Sequence, residues 1–407
     1  MPHSSSSTSS NDLIGSAPGA WLRLTALAAA AATAFAVVSG AAGLSGAHRL
    51  LAALALPPLV ALVLAAWFAH RRLLPSAVAA LVLFGATALL TSNPLHGVGA
   101  ALAFAASLVA SVTVFRAKPA RRDAWRDYVT LTKPRIMSLL LLTGLCGMFV
   151  GARGVPAVGL AIVTMMGLAL ACGGASALNH VLDRDIDRLM GERTRARPVA
   201  AERVAPAHAL EFGLALSAFS FVLLASAVNV LTATLALFGN LFYVVVYTRF
   251  LKRSTSQNIV IGGAAGAVPP LVGWAAATGN LTLPALWLFL IVFFWTPPHF
   301  WALALLLREH YAAARIPMLP VVRGTRVTTL QIVVFSLVLV AVTAAPFIAG
   351  TLGRGYLAAA LVLGAVFVRL ALRLRRETTP RRAALLFHYS LLYLALLFAA
   401  MAIDVAL

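Results

Sequence analysis

The sequence predicts an all-α polytopic membrane protein, and three observations carry that prediction. Hydrophobic residues make up 61% of the 407-residue chain and charged residues only 11%, whereas a soluble fold of this size needs far more charge on its surface. The apolar residues fall in continuous runs of about 17–25, the length that crosses a bilayer as a helix, and not in the alternating pattern of a barrel strand. The breaks between runs alternate between strongly basic and nearly uncharged, as expected when Lys and Arg collect on the cytoplasmic side.

Taken in order, residues 1–18 are polar and Ser-rich, without the basic segment of a secretory leader, and read as a disordered tail. Thirteen apolar runs follow, at 21–42, 50–69, 75–92, 97–115, 136–152, 157–179, 208–228, 231–248, 258–277, 283–305, 328–350, 355–372 and 385–405. With the N-terminus in the cytoplasm, Arg71 and Arg72 and the runs from Arg116 to Arg135, Arg184 to Arg203, Arg249 to Arg253, Arg308 to Arg326 and Arg373 to Arg382 fall inside. Only Arg49, Arg153 and Arg354 fall outside. One missed span would scramble this asymmetry, so it supports both the count and a multi-pass orientation in the cell membrane. It also accounts for the net charge of +20 without a nucleic-acid partner. Cys146 and Cys172 lie inside apolar runs without metal-ligand spacing and receive no chemical role.

The polar, Pro-containing segment from Arg116 to Arg126 marks a boundary. It separates a four-helix module, residues 19–116, from a domain spanning 117–407. The first part has no acid between Asp12 and Asp123, so the chemistry belongs to the second. No short-period repeat is present.

Three of the 12 acidic residues lie in Asn179-His-Val-Leu-Asp183-Arg-Asp185-Ile-Asp187. Helix positions four apart share a face, so Asn179, Asp183 and Asp187 project together, while Asp185 points toward Arg184 and Arg188. Two readings are open. The face is a solvated loop of paired acids and bases, or it is a metal site. Carboxylates four apart repel unless a cation lies between them, and hard oxygen ligands suit magnesium, which completes its shell with water and phosphate. Arg193, Arg195 and Arg197 follow at once, and Lys252 and Arg253 lie at the same membrane level. Guanidinium forks match phosphate oxygens, so the second reading describes a diphosphate site.

Asn179-x3-Asp183-x3-Asp187 resembles the first aspartate-rich motif of the UbiA-type intramembrane prenyltransferases. The longer string through Arg193-Thr-Arg-Ala-Arg-Pro198 is similar to the branch that farnesylates protoheme IX. Five further strings agree in order: Leu131-Thr-Lys-Pro-Arg135, Lys252 to Gly263, Pro269 to Trp274, Trp295-Thr-Pro-Pro-His-Phe-Trp301 and Ile316 to Val322. The resemblance covers roughly residues 125–407.

It implies a nine-helix UbiA-type bundle preceded by about four extra transmembrane helices. Asn179, Asp183 and Asp187 would hold Mg2+ and carry catalysis. Arg193, Arg197, Lys252, Arg253 and Lys133 would bind the diphosphate of farnesyl diphosphate. The acceptor would be heme b (protoheme IX) and the product heme O, for terminal oxidases. An aromatic quinone precursor is the alternative acceptor, but the Thr-Pro-Pro-His-Phe and Ile-Pro-Met-Leu-Pro strings favour heme. A transporter is set aside, because the acids gather at one face and the halves show no duplication.

One departure stands out. The family's second motif has an acid directly before a tyrosine, but here the string is Arg308-Glu309-His310-Tyr311. Glu309, rotated about 100° from that position, is the candidate ligand for a second metal. His310 is otherwise a donor toward diphosphate.

Other residues keep two readings. His299, at membrane depth, is a heme contact or a cap for carbonyls freed by Pro297 and Pro298. His180 serves helix packing or the heme side. Lys133 and Arg135 reach diphosphate or anchor the interface. His48 and His96 open helices at one depth, as either a bis-histidine heme site or two interfacial side chains. The His48-Arg49 pair is similar to a string in the heme A synthase bundle, which makes heme A synthase a candidate partner.

Overall fold

The computed structural model describes residues 125–407 without a break. Ahead of them it describes the helix Leu74–Leu89 and scattered positions between 26 and 63 and at 103. The chain divides into two compact units, Met1–Ala120 and Arg121–Leu407. In the first, Ala26, Ala29, Leu59, Leu62, Ala77 and Ala80 are buried against one another, so three helical segments meet on mostly small side chains. These segments fall within the runs expected at 21–42, 50–69 and 75–92. The tail at 1–18, the expected span at 97–115 apart from Ala103, and His48 and His96 lie outside the described residues.

In the second unit, nine helices among the described residues are long and apolar enough to cross a membrane. They are α1 (Pro134–Ala152), α2 (Val158–Leu182), α3 (Pro206–Ala227), α4 (Val230–Ser254), α5 (Asn258–Thr278), α6 (Leu283–Leu306), α7 (Gly324–Ile348), α8 (Arg354–Arg376) and α9 (Pro380–Ala406). The chain is an integral membrane protein. Each helix coincides with an expected run to within a few residues at most ends. The largest differences are at basic ends. α8 extends through Arg373, Arg375 and Arg376, whose long stems reach along apolar surface while the cations complement the helix C-terminus.

Local chemistry starts these helices. Pro134, Pro206 and Pro380 occupy first turns, where a missing N–H costs nothing. The side chains of Asn229 and Thr379 accept from the backbone N–H of Thr232 and Arg382, capping α4 and α9. α1 and α5 approach so closely that a Cβ at Gly147 would stand 2.4 Å from the Pro270 carbonyl oxygen. That contact replaces the water-driven packing that a bilayer cannot supply. α6 packs on α7 and α9 around the buried side chains of Trp301, Tyr356, Phe367, Tyr393 and Phe398.

Because the spans alternate in direction, α2, α4, α6 and α8 end where α1, α3, α5, α7 and α9 begin. The same end carries the short helices Trp125–Thr132, Arg184–Leu189, Glu192–Arg195, Arg308–Ala313 and Leu319–Val322. These short pieces gather the polar residues of the unit.

Candidate active site

Helix α2 stops at Leu182, and Asp183 leaves helical geometry with φ −92 and ψ 4. The backbone bonds Asp183 N–H to Asn179 O and Asp187 N–H to Asp183 O nevertheless hold the four-residue register across the break. Asn179, Asp183 and Asp187 therefore share one face, as expected, and all three are at most 3% exposed. A solvated loop of paired charges does not bury its acids in this way.

The face is a network of opposed charges. Lys252 Nζ donates to Asp183 Oδ2 at 2.6 Å, and Arg197 donates to Asp187 Oδ1 at 2.6 Å. Asn179 Nδ2 donates to Asp183 Oδ2 at 2.7 Å, and Lys133 Nζ donates to Asn179 Oδ1 at 2.8 Å. Asp183 Oδ1 and Asp187 Oδ2 are buried with no partner. An isolated buried carboxylate oxygen is costly, so two of them on one face mark a place for a cation. Three His, Cys, Asp or Glu side chains do not converge as a ready-made metal cage among the described residues. Magnesium needs none, since one or two carboxylates suffice when phosphate and water complete its shell.

The electrostatics are those of a crowded, dry site. Burial pushes the Asp187 carboxyl up, against the pull of Arg197. The Lys133 ammonium falls to about 7, first through burial and then through Arg197, while Asp183 acts the other way. Lys133 is also one of few non-glycine residues with left-handed backbone, at φ 50 and ψ 58. The following proline disfavours right-handed helix there, and the left-handed state costs about 1–2 kcal/mol for a residue with a Cβ. That strained turn holds the ammonium on Asn179.

The structure adds residues that spacing did not reveal. Helix α4 turns into a π-helix over Phe242–Leu251, a form concentrated at functional sites. Its Tyr243 and Tyr247 rings stack with centroids 5.6 Å apart, and its Thr248 hydroxyl lies 3.2 Å from Asn179 Nδ2. The widened turn delivers Lys252 to Asp183. The nearest signal in the sequence is the Tyr243/Tyr247 spacing, which an ordinary helix would share. Tyr311 is buried beside the cluster, and burial raises its hydroxyl to about 12, with Arg197 and Asp183 the charges that act on it.

Other expected residues stand elsewhere. Arg253 forks both oxygens of Asp185 at 2.7 Å and donates to the Leu182 carbonyl, so it latches the helix break and does not face the carboxylates. Asp185 is answered by Arg253 and not by Arg184 or Arg188, and this bond lowers its carboxyl to about 2. Arg188 pairs with Glu202 instead. Arg193 lies in the helix Glu192–Arg195, and its side chain is outside those described. Glu309 is exposed and forms no ion pair among the described residues. His310 packs on Gly191, which has φ +94 and where a Cβ would stand 2.6 Å from His310 Cδ2. The two motif loops therefore touch through His310.

His299 lies in α6, away from this network. Its ring is sandwiched between Trp295 and Phe387, at 4.4 and 4.8 Å, and its Nδ1 meets the Ser390 hydroxyl at 2.6 Å. It caps no carbonyl through Nδ1. His180 is buried beside Asn179 with neither ring nitrogen partnered.

A nine-span helical bundle whose one polar end opposes buried carboxylates to Lys and Arg has the make-up of an intramembrane enzyme for an anionic substrate. A model of the UbiA prenyltransferase family matches residues 140–398. The chain belongs to that family. It is 56% identical over 282 residues to a protoheme IX farnesyltransferase of Symbiobacterium thermophilum, covering 69% of this chain and 94% of that one. The protoheme IX farnesyltransferases of a Roseiflexus species and of Thermus thermophilus are 52% and 51% identical over 69% of this chain, which spans about half of their length (52% and 46%). Among solved structures, the fold is similar to that of a digeranylgeranylglyceryl phosphate synthase, at TM-score 0.59 and 16% identity over 69% of this chain and 98% of that chain. It is also similar to a UbiA homolog from Archaeoglobus fulgidus bound to GPP and Mg2+, at TM-score 0.50 and 18% identity over 68% and 99%.

Proposed function

We propose that this chain is a protoheme IX farnesyltransferase that joins the farnesyl group of farnesyl diphosphate to a vinyl group of heme b, giving heme O and diphosphate. The observation that carries the reading is the pair of unpartnered carboxylate oxygens, Asp183 Oδ1 and Asp187 Oδ2, opposed by Lys133, Lys252 and Arg197. Identity of 50% or more to enzymes named for this reaction selects heme over an aromatic quinone precursor.

The residues fit a divalent metal. Asp183 and Asp187 would hold Mg2+ through their free oxygens, and Asn179 would join once Lys133 releases its Oδ1. Magnesium would supply positive charge to the departing diphosphate. Without substrate, Lys252 and Arg197 neutralise the two carboxylates. When metal takes over that task, both cations turn to the phosphate oxygens, together with Lys133 and Arg193. Their charge stabilises the leaving group where negative charge develops. The C1–O bond breaks with its electron pair going to diphosphate, and the vinyl π pair forms the new C–C bond. Water closes the resulting cation as a hydroxyl and loses its proton to solvent. Tyr243, Tyr247 and Tyr311 wall the site and limit bulk water around the allylic cation. Glu309 is the candidate for a second metal if its exposed carboxylate turns inward, and His299 the candidate heme contact in α6. The site faces the cytoplasm from the cell membrane, with heme A synthase as a partner that takes heme O onward.

The test is conversion by the purified chain of heme b, farnesyl diphosphate and Mg2+ to a product heavier than heme b by one farnesyl group and one water. Asp183→Asn and Asp187→Asn are expected to lose at least a hundred-fold in rate. Full turnover in the presence of a chelator, or preference for an aromatic quinone precursor, contradicts the proposal.

A further inference from the structure

The polar end of the bundle holds a second feature that the diphosphate chemistry does not use. A cleft of about 240 Å³ lies among the start of α5, the end of α6 and the start of α7, lined by Gln257, Trp301, Leu319, Arg323, Val327 and Gln331. Its polar groups are unspent. Trp301 is 1% exposed, yet its indole N–H has no partner. The Arg323 guanidinium forms no ion pair among the described residues, and no acidic side chain lines the cleft. A buried unpartnered N–H costs about 1–3 kcal/mol, so an indole donor, a guanidinium and two amides converging on one space are the complement of an anion. Leu319 and Val327 make the remaining wall apolar.

We propose that this cleft binds a propionate carboxylate of the heme acceptor and thereby decides which vinyl group meets the farnesyl chain; the inference rests on the function proposed above. One guanidinium with neutral donors suits a single carboxylate. A diphosphate, with its higher charge, belongs with Lys133, Lys252, Arg197 and the carboxylates. The acceptor has matching chemistry: an apolar macrocycle with two carboxylates on one edge and two vinyl groups toward the other. Gripping the acid edge fixes the position of the vinyl edge. The two sites are also joined in the chain, since Lys252 and Gln257 stand at opposite ends of one short connection. Trp301 meets Phe335 edge-on at 5.3 Å, which holds its ring in place.

The test is an absorption titration of heme b, and of its dimethyl ester, into the full chain in lipid nanodiscs. The wild type is expected to bind the diacid about ten-fold tighter than the ester, the size of one charge-assisted hydrogen bond. Arg323→Gln is expected to bind both as weakly as wild type binds the ester, with Trp301→Phe, which removes only the N–H, in between. Gln331→Leu gives an independent variant at the cleft. The KM for farnesyl diphosphate should stay unchanged in all three, which also shows that they fold. Equal wild-type affinity for diacid and ester overturns the proposal. So does an Arg323→Gln variant that keeps the preference, the result expected if the cleft serves a lipid phosphate. Because the titration reads binding, a chain that prefers the diacid but transfers no farnesyl group refutes the reaction and not the cleft.

Discussion

Removing the Lys252 ammonium while keeping its bulk, as Lys252→Met, exposes how the site balances its charges. The Lys252 and Asp183 side chains are 10% and 1% exposed and lie 2.6 Å apart. At an effective dielectric near 20 their attraction is about 6 kcal/mol. Desolvation cancels much of that in the intact pair, but removing one partner strands a buried charge and costs about 3–5 kcal/mol. Asn179 Nδ2 would be the one remaining donor to Asp183 Oδ2. At about 2 °C per kcal/mol for a unit of this size, the variant should melt about 6–10 °C below wild type. Magnesium should reverse part of the loss, because it no longer competes with Lys252 for Asp183. At a hundred times its dissociation constant a ligand contributes about 2.7 kcal/mol, which recovers about 5 °C. The assay is thermal unfolding of detergent-solubilised protein with and without Mg2+. If Mg2+ raises the variant no more than the wild type, Asp183 is not a metal ligand and the charge-exchange scheme fails.

Three further outcomes follow from single positions. Lys133→Gly removes both the strained φ of 50 and the ammonium, so it should leave stability equal or higher by about 1 kcal/mol while raising the KM for farnesyl diphosphate about ten-fold; an unchanged KM would return Lys133 to interface anchoring. Gly191→Ala meets both φ +94 and the His310 ring, so it should cost about 1–3 kcal/mol, visible as faster proteolysis of the motif loops, and adding His310→Ala should recover only the steric part. His310→Asp places an acid where the family has one and should lower the Mg2+ concentration for half-maximal rate several-fold; no change would mean that one metal suffices here.

The spans and the first cluster were readable because each rests on a simple rule. Apolar run length and the positions of Arg fix nine helices, since an uncharged break or a buried Arg is costly in a bilayer. Four-residue spacing puts Asn179, Asp183 and Asp187 on one face even though the helix breaks between them, because the backbone bonds continue through the break. Which cation meets which acid was not readable. Arg253 was expected on phosphate and instead forks Asp185, because the π-helix over Phe242–Leu251 changes the phase of everything after it. A π-helix has no sequence signature of its own, since its residues suit an α-helix equally well. The role of Asn179 as a bridge between Lys133 and Asp183 depends in the same way on a left-handed turn that Lys-Pro does not announce. His299 had two readings, and its contacts with Trp295, Phe387 and Ser390 come from α9, ninety residues away in the chain, beyond the reach of local spacing.

The most direct test of the central claim is pigment analysis of a host that lacks its own heme O synthase, expressing this chain or its Asp183→Ala variant. The account predicts heme O in membranes with the wild-type chain and heme b alone with the variant. Heme b alone in both, with the wild-type protein present in the membrane, would contradict the acceptor assignment, and heme O in both would contradict the role given to Asp183.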